Sequence, residues 1–202
     1  MRRRVALFIE SSISYGRGIL RGIAKYLRER GPWSIFVEQR ELGAALPGWI
    51  ASWRGDGIIT RSDDPRLRRL RIPRVALFDH RRPGPPAIVN DNRAIGRLAA
   101  QHLRERGFTR LAFVGPRGLH WSDERRAGAE AVACFDAGRA TWEVEQARLT
   151  AWLRRLPRPV GLVAANDVYG LRALDACRRA GLAVPETVAV VGADDDAELC
   201  EL

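Results

Sequence analysis

Residues 160–195 contain one complete strand–helix–strand unit, which restricts the folds open to this chain. The apolar run 161–165 is typical of a strand that is buried on both faces of a parallel sheet. Asn166 and Asp167 follow it with side chains that can cap a helix, and the apolar run 188–191 provides a second strand. Both strands end in carboxylates or amides, at the sheet edge where open α/β folds bind ligands.

The helix between these strands carries apolar residues at three-residue steps, which predicts an apolar stripe facing the core. These residues are Val168, Leu171, Leu174 and Cys177. Gly181 is expected to end the helix in the left-handed conformation that glycine favours, and Pro185 bars its continuation.

Apolar runs and helical patterns alternate along the whole chain, which predicts a doubly wound α/β fold with parallel sheets flanked by helices. The predicted strands are 5–9, 34–37, 57–60, 75–78, 111–114, 161–165 and 188–191, with a brief extended piece at 87–89. A loop is expected over 79–86. In the helix that Asp91 or Asn92 caps, the side chains expected to face inward are Ala94, Ile95, Leu98, Ala99 and Leu103.

The second half of the chain is expected to lack one strand. A helix is predicted from Ser122 to about Ala137 and another over 142–156, and no apolar run between them suits a strand.

Composition indicates a cytoplasmic globular protein without a membrane partner. The 202 residues are 46% hydrophobic, and no run approaches the ~20 apolar residues of a membrane span. The net charge is +10, and Lys25 is the only lysine, so the basic charge is nearly all arginine. Binding of nucleic acid requires basic residues clustered on one face. The arginines are spread along the sequence, so a solvated arginine-rich surface is the expected interpretation.

No motif for catalysis, metal or cofactor binding stands out, so the chain is not expected to be an enzyme. The three cysteines lack metal-ligand spacing. Gly16, Gly18 and Gly22 do not form the dinucleotide fingerprint, and the loop 115–118 lacks the lysine and hydroxyl of a phosphate loop. A Rossmann-like nucleotide-binding enzyme is the alternative.

Polar side chains recur where the predicted strands end. They are Glu10, Asp63, Asp79, Asn166, Asp167 and Asp194. Tyr15, Trp121 and Tyr169 lie in or beside the same loops. Carboxylates and amides bridge neighbouring hydroxyls while an aromatic ring covers an apolar sugar face, so this mixture favours a polyhydroxylated ligand.

Several motifs resemble a known family. Residues 164–195, AANDVYGLRALDACRRAGLAVPETVAVVGADD, resemble the effector-binding domain of LacI/GalR repressors and their periplasmic-binding-protein-like relatives. Residues 91–115 and the Arg-Arg-Ala-Gly at 125–128 match the same family. Tyr15-Gly-Arg-Gly, Gly31-Pro-Trp33 and the Asp-Gly-Ile-Ile at 56–59 are similar to AraC-type xylose operon regulators.

The resemblance implies a two-lobed periplasmic-binding-protein-like (type I) fold. Residues 1–107 would form the N-terminal lobe, and residues 108–202 an incomplete second lobe whose C-terminal part is missing. The effector-binding residues that the family implies are Arg125 and Asp194 on sugar hydroxyls, Asp167 or Asn166 as a third polar contact, and Tyr15 and Trp121 near the cleft.

The implied function is binding of a sugar effector, expected to be D-xylose, by a homodimeric transcription regulator. DNA binding would reside in an AraC-type helix-turn-helix region absent from these residues. A stand-alone sugar-binding protein is a further alternative.

Overall fold

The structure, a computed structural model, describes residues 2–39, 41, 44–78, 84–138 and 140–202. The chain divides into two compact units, residues 1–90 and 91–202. Each unit contains a four-stranded, all-parallel sheet. The observed division precedes the first helix of the second unit, whereas the sequence had suggested a boundary at residue 107, after that helix.

The first unit has the strand order β2-β1-β3-β4. Its elements are β1 (Arg4–Phe8), α1 (Ser14–Arg30), β2 (Ser34–Val37), a 3-10 helix (Gly48–Ser52), β3 (Gly57–Thr60), α2 (Pro65–Arg68) and β4 (Arg74–Ala76). Successive side chains of β1 point to opposite faces of the sheet. Val5 and Leu7 therefore pack toward α1, while Ala6 and Phe8 pack against the 3-10 helix and Trp53.

The second unit has the strand order β6-β5-β7-β8. Its elements are α3 (Asn92–Glu105), β5 (Leu111–Gly115), α4 (His120–Ala129), β6 (Ala133–Asp136), α5 (Trp142–Arg155), β7 (Val160–Ala164), α6 (Asp167–Ala180), β8 (Val188–Val191) and α7 (Ala197–Cys200). The central strands β5 and β7 are buried along their whole length, which explains their continuous apolar sequences.

The expected absence of a strand in the second half is wrong, because β6 pairs with β5 at the edge of the sheet. Only Phe135 of this strand is buried, and the apolar run 131–135 fell within the range predicted for the preceding helix. The preceding helix ends at Ala129 and not near Ala137. Glu130 adopts a left-handed conformation, with φ of 52°, and ends the helix without the glycine that would have marked its end.

The predicted stripe on α6 is also wrong in part, since Val168 and Leu174 are exposed. Steps of three residues drift around a helix that repeats every 3.6 residues. The face that packs on the sheet carries mostly small side chains instead: Gly170, Ala173, Ala176 and Cys177. Leu98 on α3, expected to face inward, is 65% exposed.

The predicted caps of α3 and α6 are confirmed. Asn166 accepts a hydrogen bond from the Tyr169 amide at 3.3 Å, and Asp91 accepts one from the Ala94 amide at 2.8 Å. Gly181 ends α6 with φ of 69°. None of the described helices is long and apolar enough to cross a membrane. Asp79 and most of the predicted loop after it lie outside the described residues.

Helices α3 and α4 approach each other closely because glycine replaces a side chain on both. A Cβ atom at Gly96 would overlap the carbonyl oxygen of Arg125, and one at Gly128 would overlap that of Arg93. Both carbonyls belong to backbone, which cannot move aside as a flexible side chain could. This contact fixes α4, and therefore Arg125, against α3.

We expect Gly96→Ala to lower the free energy of unfolding of the second unit by about 1–3 kcal/mol, since overpacking forces the two helices apart. Gly170→Ala is the matched control. A Cβ there meets Ala164 Cβ at 3.8 Å, an ordinary contact, so reduced backbone freedom should stabilise α6 by about 0.4–1 kcal/mol. Urea unfolding followed by circular dichroism checks both, and equal effects of the two variants would contradict the packing account.

Candidate functional site

A buried arginine lies at the carboxyl edge of the second sheet. Arg125 projects from α4, and only 5% of its surface is exposed. Its Nη1 donates to the carbonyl oxygen of Ala165 at 2.6 Å, and its Nε donates to Asn92 Oδ1 at 3.1 Å. Because an unpaired charge is costly to bury, these acceptors hold the guanidinium in one orientation.

Asp194, in the loop after β8, faces this guanidinium. Its Oδ1 lies 3.4 Å from both Nη1 and Nη2 of Arg125. The Asp194 side chain is 22% exposed, against 6% for that of Arg125. Asp194 has φ of 105° and Asp195 has φ of 51°, a region that residues other than glycine rarely adopt. Such backbone strain costs about 1–3 kcal/mol per residue and is common at ligand sites.

The electrostatic environment disfavours the charged form of Asp194. Burial raises the pKa of its carboxyl above the ordinary value of 3.8, and the neighbouring carboxylates Asp167 and Asp196 raise that pKa further. Arg125 acts in the opposite direction. The guanidinium is therefore what keeps a carboxylate available as a hydrogen-bond acceptor at this position.

Asp167 shapes the loop that carries Asp194. Its Oδ2 accepts a hydrogen bond from the Asp196 amide at 2.8 Å, and its own amide donates to the Ala193 carbonyl at 3.0 Å. A Cβ at Gly192 would overlap Asp167 Oδ1, so a larger residue there would displace the Asp167 carboxylate. Asp167 thus ties the start of α6 to this loop.

Trp121 provides an aromatic surface beside the same arginine. It lies one helical turn before Arg125 on α4, and its ring is 5.2 Å from the Arg125 guanidinium carbon. A cation over an aromatic face is attracted by the ring quadrupole. Of the six site residues predicted from sequence, the structure therefore groups five around this edge of the second unit: Trp121, Arg125, Asn166, Asp167 and Asp194.

The sixth predicted residue, Tyr15, belongs to a separate polar cluster in the first unit. Arg61 lies over its ring at 4.8 Å from the centroid, and Arg61 Nη1 is 3.0 Å from Glu10 Oε2. The Tyr15 hydroxyl donates to Asn90 Oδ1 at 3.4 Å. Glu10 follows β1 and Arg61 follows β3, so this cluster also lies at the carboxyl edge of its sheet.

Sequence reasoning missed two members of these clusters, Arg61 and Asn92. The position of Arg61 directly after β3 was a usable signal, since the neighbouring Asp63 had been singled out on that ground. Asp63 itself is exposed and pairs with Arg68 at 2.9 Å on the surface. Among the described residues there is no group of three or more His, Cys, Asp or Glu side chains suited to a metal ion.

Two family profiles match the sequence. The XylR N-terminal domain matches residues 4–78, and the periplasmic binding protein-like domain matches residues 100–202, more than half of the chain. The chain belongs to the periplasmic binding protein-like domain family. The fold class predicted from sequence is confirmed, since both units of this family member are parallel sheets flanked by helices.

Related proteins confirm the predicted relationship to xylose operon regulators. The xylose operon regulatory protein of Haemophilus influenzae is 31% identical over 96% of this chain and 56% of its own length. The structure of the xylose-binding transcription activator XylR matches with a TM-score of 0.81 at 28% identity, over 96% of this chain and 55% of that one. The complex of the regulator CelR with cellobiose gives a TM-score of 0.72 at 30% identity, over 97% of this chain and 69% of that one. The present chain spans about half the length of the curated relatives that it matches.

The charges around Asp194 predict how its pKa responds to substitution. Arg125→Gln should raise the pKa of Asp194 further, because the cation that favours the carboxylate is lost. Asp167→Asn should lower it, because a repelling carboxylate is lost. Titration of the ¹³C carboxyl signal of Asp194 measures both shifts. Asp175→Asn, which alters a carboxylate that pairs with Arg178 and Arg179, is the control and should leave the value unchanged. Shifts opposite in sign would contradict the assigned interactions.

Proposed function

We propose that this chain binds a small sugar, a pentose such as D-xylose, as the effector-sensing part of a transcription regulator, and that it does so without catalysing a reaction. The Arg125–Asp194 pair beside Trp121 is the observation that supports this most directly. A guanidinium donates only and a carboxylate accepts only, so together they satisfy hydroxyl groups, each of which does both.

Specific atoms remain available for such a ligand. Arg125 uses Nε and Nη1 on protein acceptors at 3.1 and 2.6 Å, while Nη2 has only the longer 3.4 Å contact with Asp194 Oδ1. Among the described residues, Asp194 Oδ2 accepts no hydrogen bond. Neighbouring hydroxyls of a sugar would bond to Nη2 and Oδ2, and the Trp121 ring would cover C–H groups of the sugar.

Asn166 and Asp167 are proposed to have different roles at this site. Asp167 already holds the Asp196 amide with Oδ2, so it serves chiefly to position the loop. Asn166 caps α6 with Oδ1, and its side-chain amide would be the third polar contact. In the first unit, Tyr15 with Glu10 and Arg61 offers the same chemistry of carboxylate, guanidinium and aromatic ring.

Ligand binding would strengthen the link between two parts of the second unit. Arg125 moves with α4, which the contacts of Gly96 and Gly128 fix to α3, and Asp194 moves with the loop that Asp167 ties to α6. A sugar that bridges Arg125 and Asp194 would favour conformations in which these elements are close. The sugar would change the conformation of the protein only by binding one conformational state more tightly than another.

The relatives support the regulatory part of the proposal, since they are a xylose operon regulatory protein, a xylose-binding activator and a regulator in complex with cellobiose. In this proposal the regulator is cytoplasmic and homodimeric, and its sequence-specific DNA-binding helices lie outside these residues.

Isothermal titration calorimetry of D-xylose with the chain should give saturable binding. Arg125→Gln and Asp194→Asn should each weaken this binding by about 1.5–3 kcal/mol, roughly tenfold or more in the dissociation constant. The reason is that each variant removes a charged hydrogen-bond partner of the sugar. Arg126→Gln is the matched control, because Arg126 is the adjacent arginine on α4 and its guanidinium pairs with Asp123 at 3.4 Å.

The control should retain the affinity of the wild-type chain. L-arabinose and D-ribose, which differ from D-xylose in hydroxyl orientation, test selectivity among pentoses in the same assay. Equal affinity of the wild type, both site variants and the control would contradict the assigned site, and binding of none of the pentoses would contradict the proposed ligand class.

A further inference from the structure

The amino end of the first sheet carries a cluster of arginines that the effector site does not use. A surface recess of about 560 Å³ lies there, between the start of β1 and the end of α1. Its lining includes Arg2, Arg3 and Arg30, together with Tyr26 and Trp33. Tyr26 and Trp33 pack against each other with their ring centroids 5.5 Å apart. The cluster of Tyr15, Glu10 and Arg61 lies at the opposite edge of the same sheet.

These three guanidinium groups have no carboxylate partner among the residues that the structure describes. Among the described residues, no ion pair or side-chain hydrogen bond involves Arg2, Arg3 or Arg30. By contrast, Arg61, Arg66, Arg68, Arg93, Arg104, Arg125, Arg126, Arg172, Arg178 and Arg179 all pair with Asp or Glu. Positive charge is therefore concentrated at this recess without local neutralisation.

Two further arginines line a recess beside the edge strand β2. A second recess of about 670 Å³ is lined by Arg4 and Arg54 with Phe36, Trp49 and Trp53, and a guanidinium nitrogen of Arg4 donates to the Arg54 carbonyl. Glu38 is the one carboxylate among the described residues that line either recess, and it accepts from Trp49 Nε1 at 2.7 Å.

We propose that this surface, called here the arginine edge (Arg2, Arg3, Arg4, Arg30 and Arg54), binds the phosphate backbone of duplex DNA. Guanidinium groups bind phosphate oxygens in a fork geometry. Among the described residues these five guanidinium groups have no carboxylate partner, and such a series suits a polymer that presents phosphates at regular intervals.

The backbone around the arginine edge is well fixed. The Arg3 carbonyl accepts from the Ser34 amide at 2.8 Å, and the Arg4 amide donates to Asp56 Oδ2 at 2.7 Å. These bonds anchor the start of β1 between its two neighbouring strands. Because phosphates are the same at every base pair, contacts from the arginine edge would be independent of DNA sequence. They would add to those of the sequence-specific helices, which the proposed function places outside these residues. The proposal depends on the proposed function only in taking DNA as the polyanion.

The test is the salt dependence of binding to a fluorescein-labelled duplex of random sequence, measured by anisotropy on the 202-residue chain between about 50 and 200 mM salt. Each phosphate contact contributes about 0.9 to the slope of log K against log salt concentration. The triple variant Arg2→Gln, Arg3→Gln, Arg30→Gln should therefore reduce that slope by about 2.7.

The matched control is Arg106→Gln, Arg110→Gln, Arg155→Gln, which removes the same charge from exposed positions of the second unit. It should leave the slope within one unit of the wild type. Equal loss of slope in both triple variants would overturn the proposal, because net charge alone would then explain binding. Tighter binding of polyglutamate than of the duplex would also overturn it, in favour of an acidic protein partner. Circular dichroism of each variant verifies folding.

These outcomes are separate from those of the sugar titration. Retained D-xylose binding with an unchanged DNA slope would refute only the arginine edge. Loss of the DNA slope on a chain that binds no pentose would support the arginine edge and refute only the sugar ligand.

Discussion

The buried guanidinium of Arg125 is the interaction on which the candidate site depends. A charge with 5% exposure is tolerated only with acceptors around it. Those acceptors come from three segments: Asn92 at the start of α3, Ala165 at the end of β7, and Asp194 after β8. One side chain therefore joins a helix and two strand ends that are distant in sequence. Removing a partner from such a buried pair typically costs about 3–5 kcal/mol.

The two units use the same combination of groups at the carboxyl edges of their sheets. In the second unit an arginine lies between a carboxylate and a tryptophan ring, and in the first unit Arg61 lies between Glu10 and the ring of Tyr15. Parallel strands bring their carboxyl ends to one edge, so each sheet supplies such a position. The arginine edge lies at the opposite end of the first sheet, which would separate effector binding from phosphate binding within one unit.

The elements of the fold were predictable where local chemistry marks their ends. Gly57–Thr60 and Val188–Val191 have the observed bounds because glycine or proline and polar residues flank their apolar runs. The end of α4 was missed because Glu130 takes the place of glycine, and β6 was missed because its apolar run 131–135 then fits a continued helix. The site could not be derived from spacing, since Arg125 and Asp194 are 69 residues apart. Resemblance to the family singled out both, while the role of Arg61 depends on a contact with Glu10 that spacing does not indicate.

The central claim, that Arg125 and Asp194 together hold a sugar, is tested most directly by NMR on the ligand-titrated chain. The ¹⁵Nε signal of Arg125 and the ¹³C carboxyl signal of Asp194 should both shift as D-xylose is added, and the two curves should give one dissociation constant that agrees with calorimetry. The Nε signal of Arg126, on the same helix, should stay in place. Saturable binding of D-xylose that leaves the Arg125 and Asp194 signals unmoved would contradict the claim.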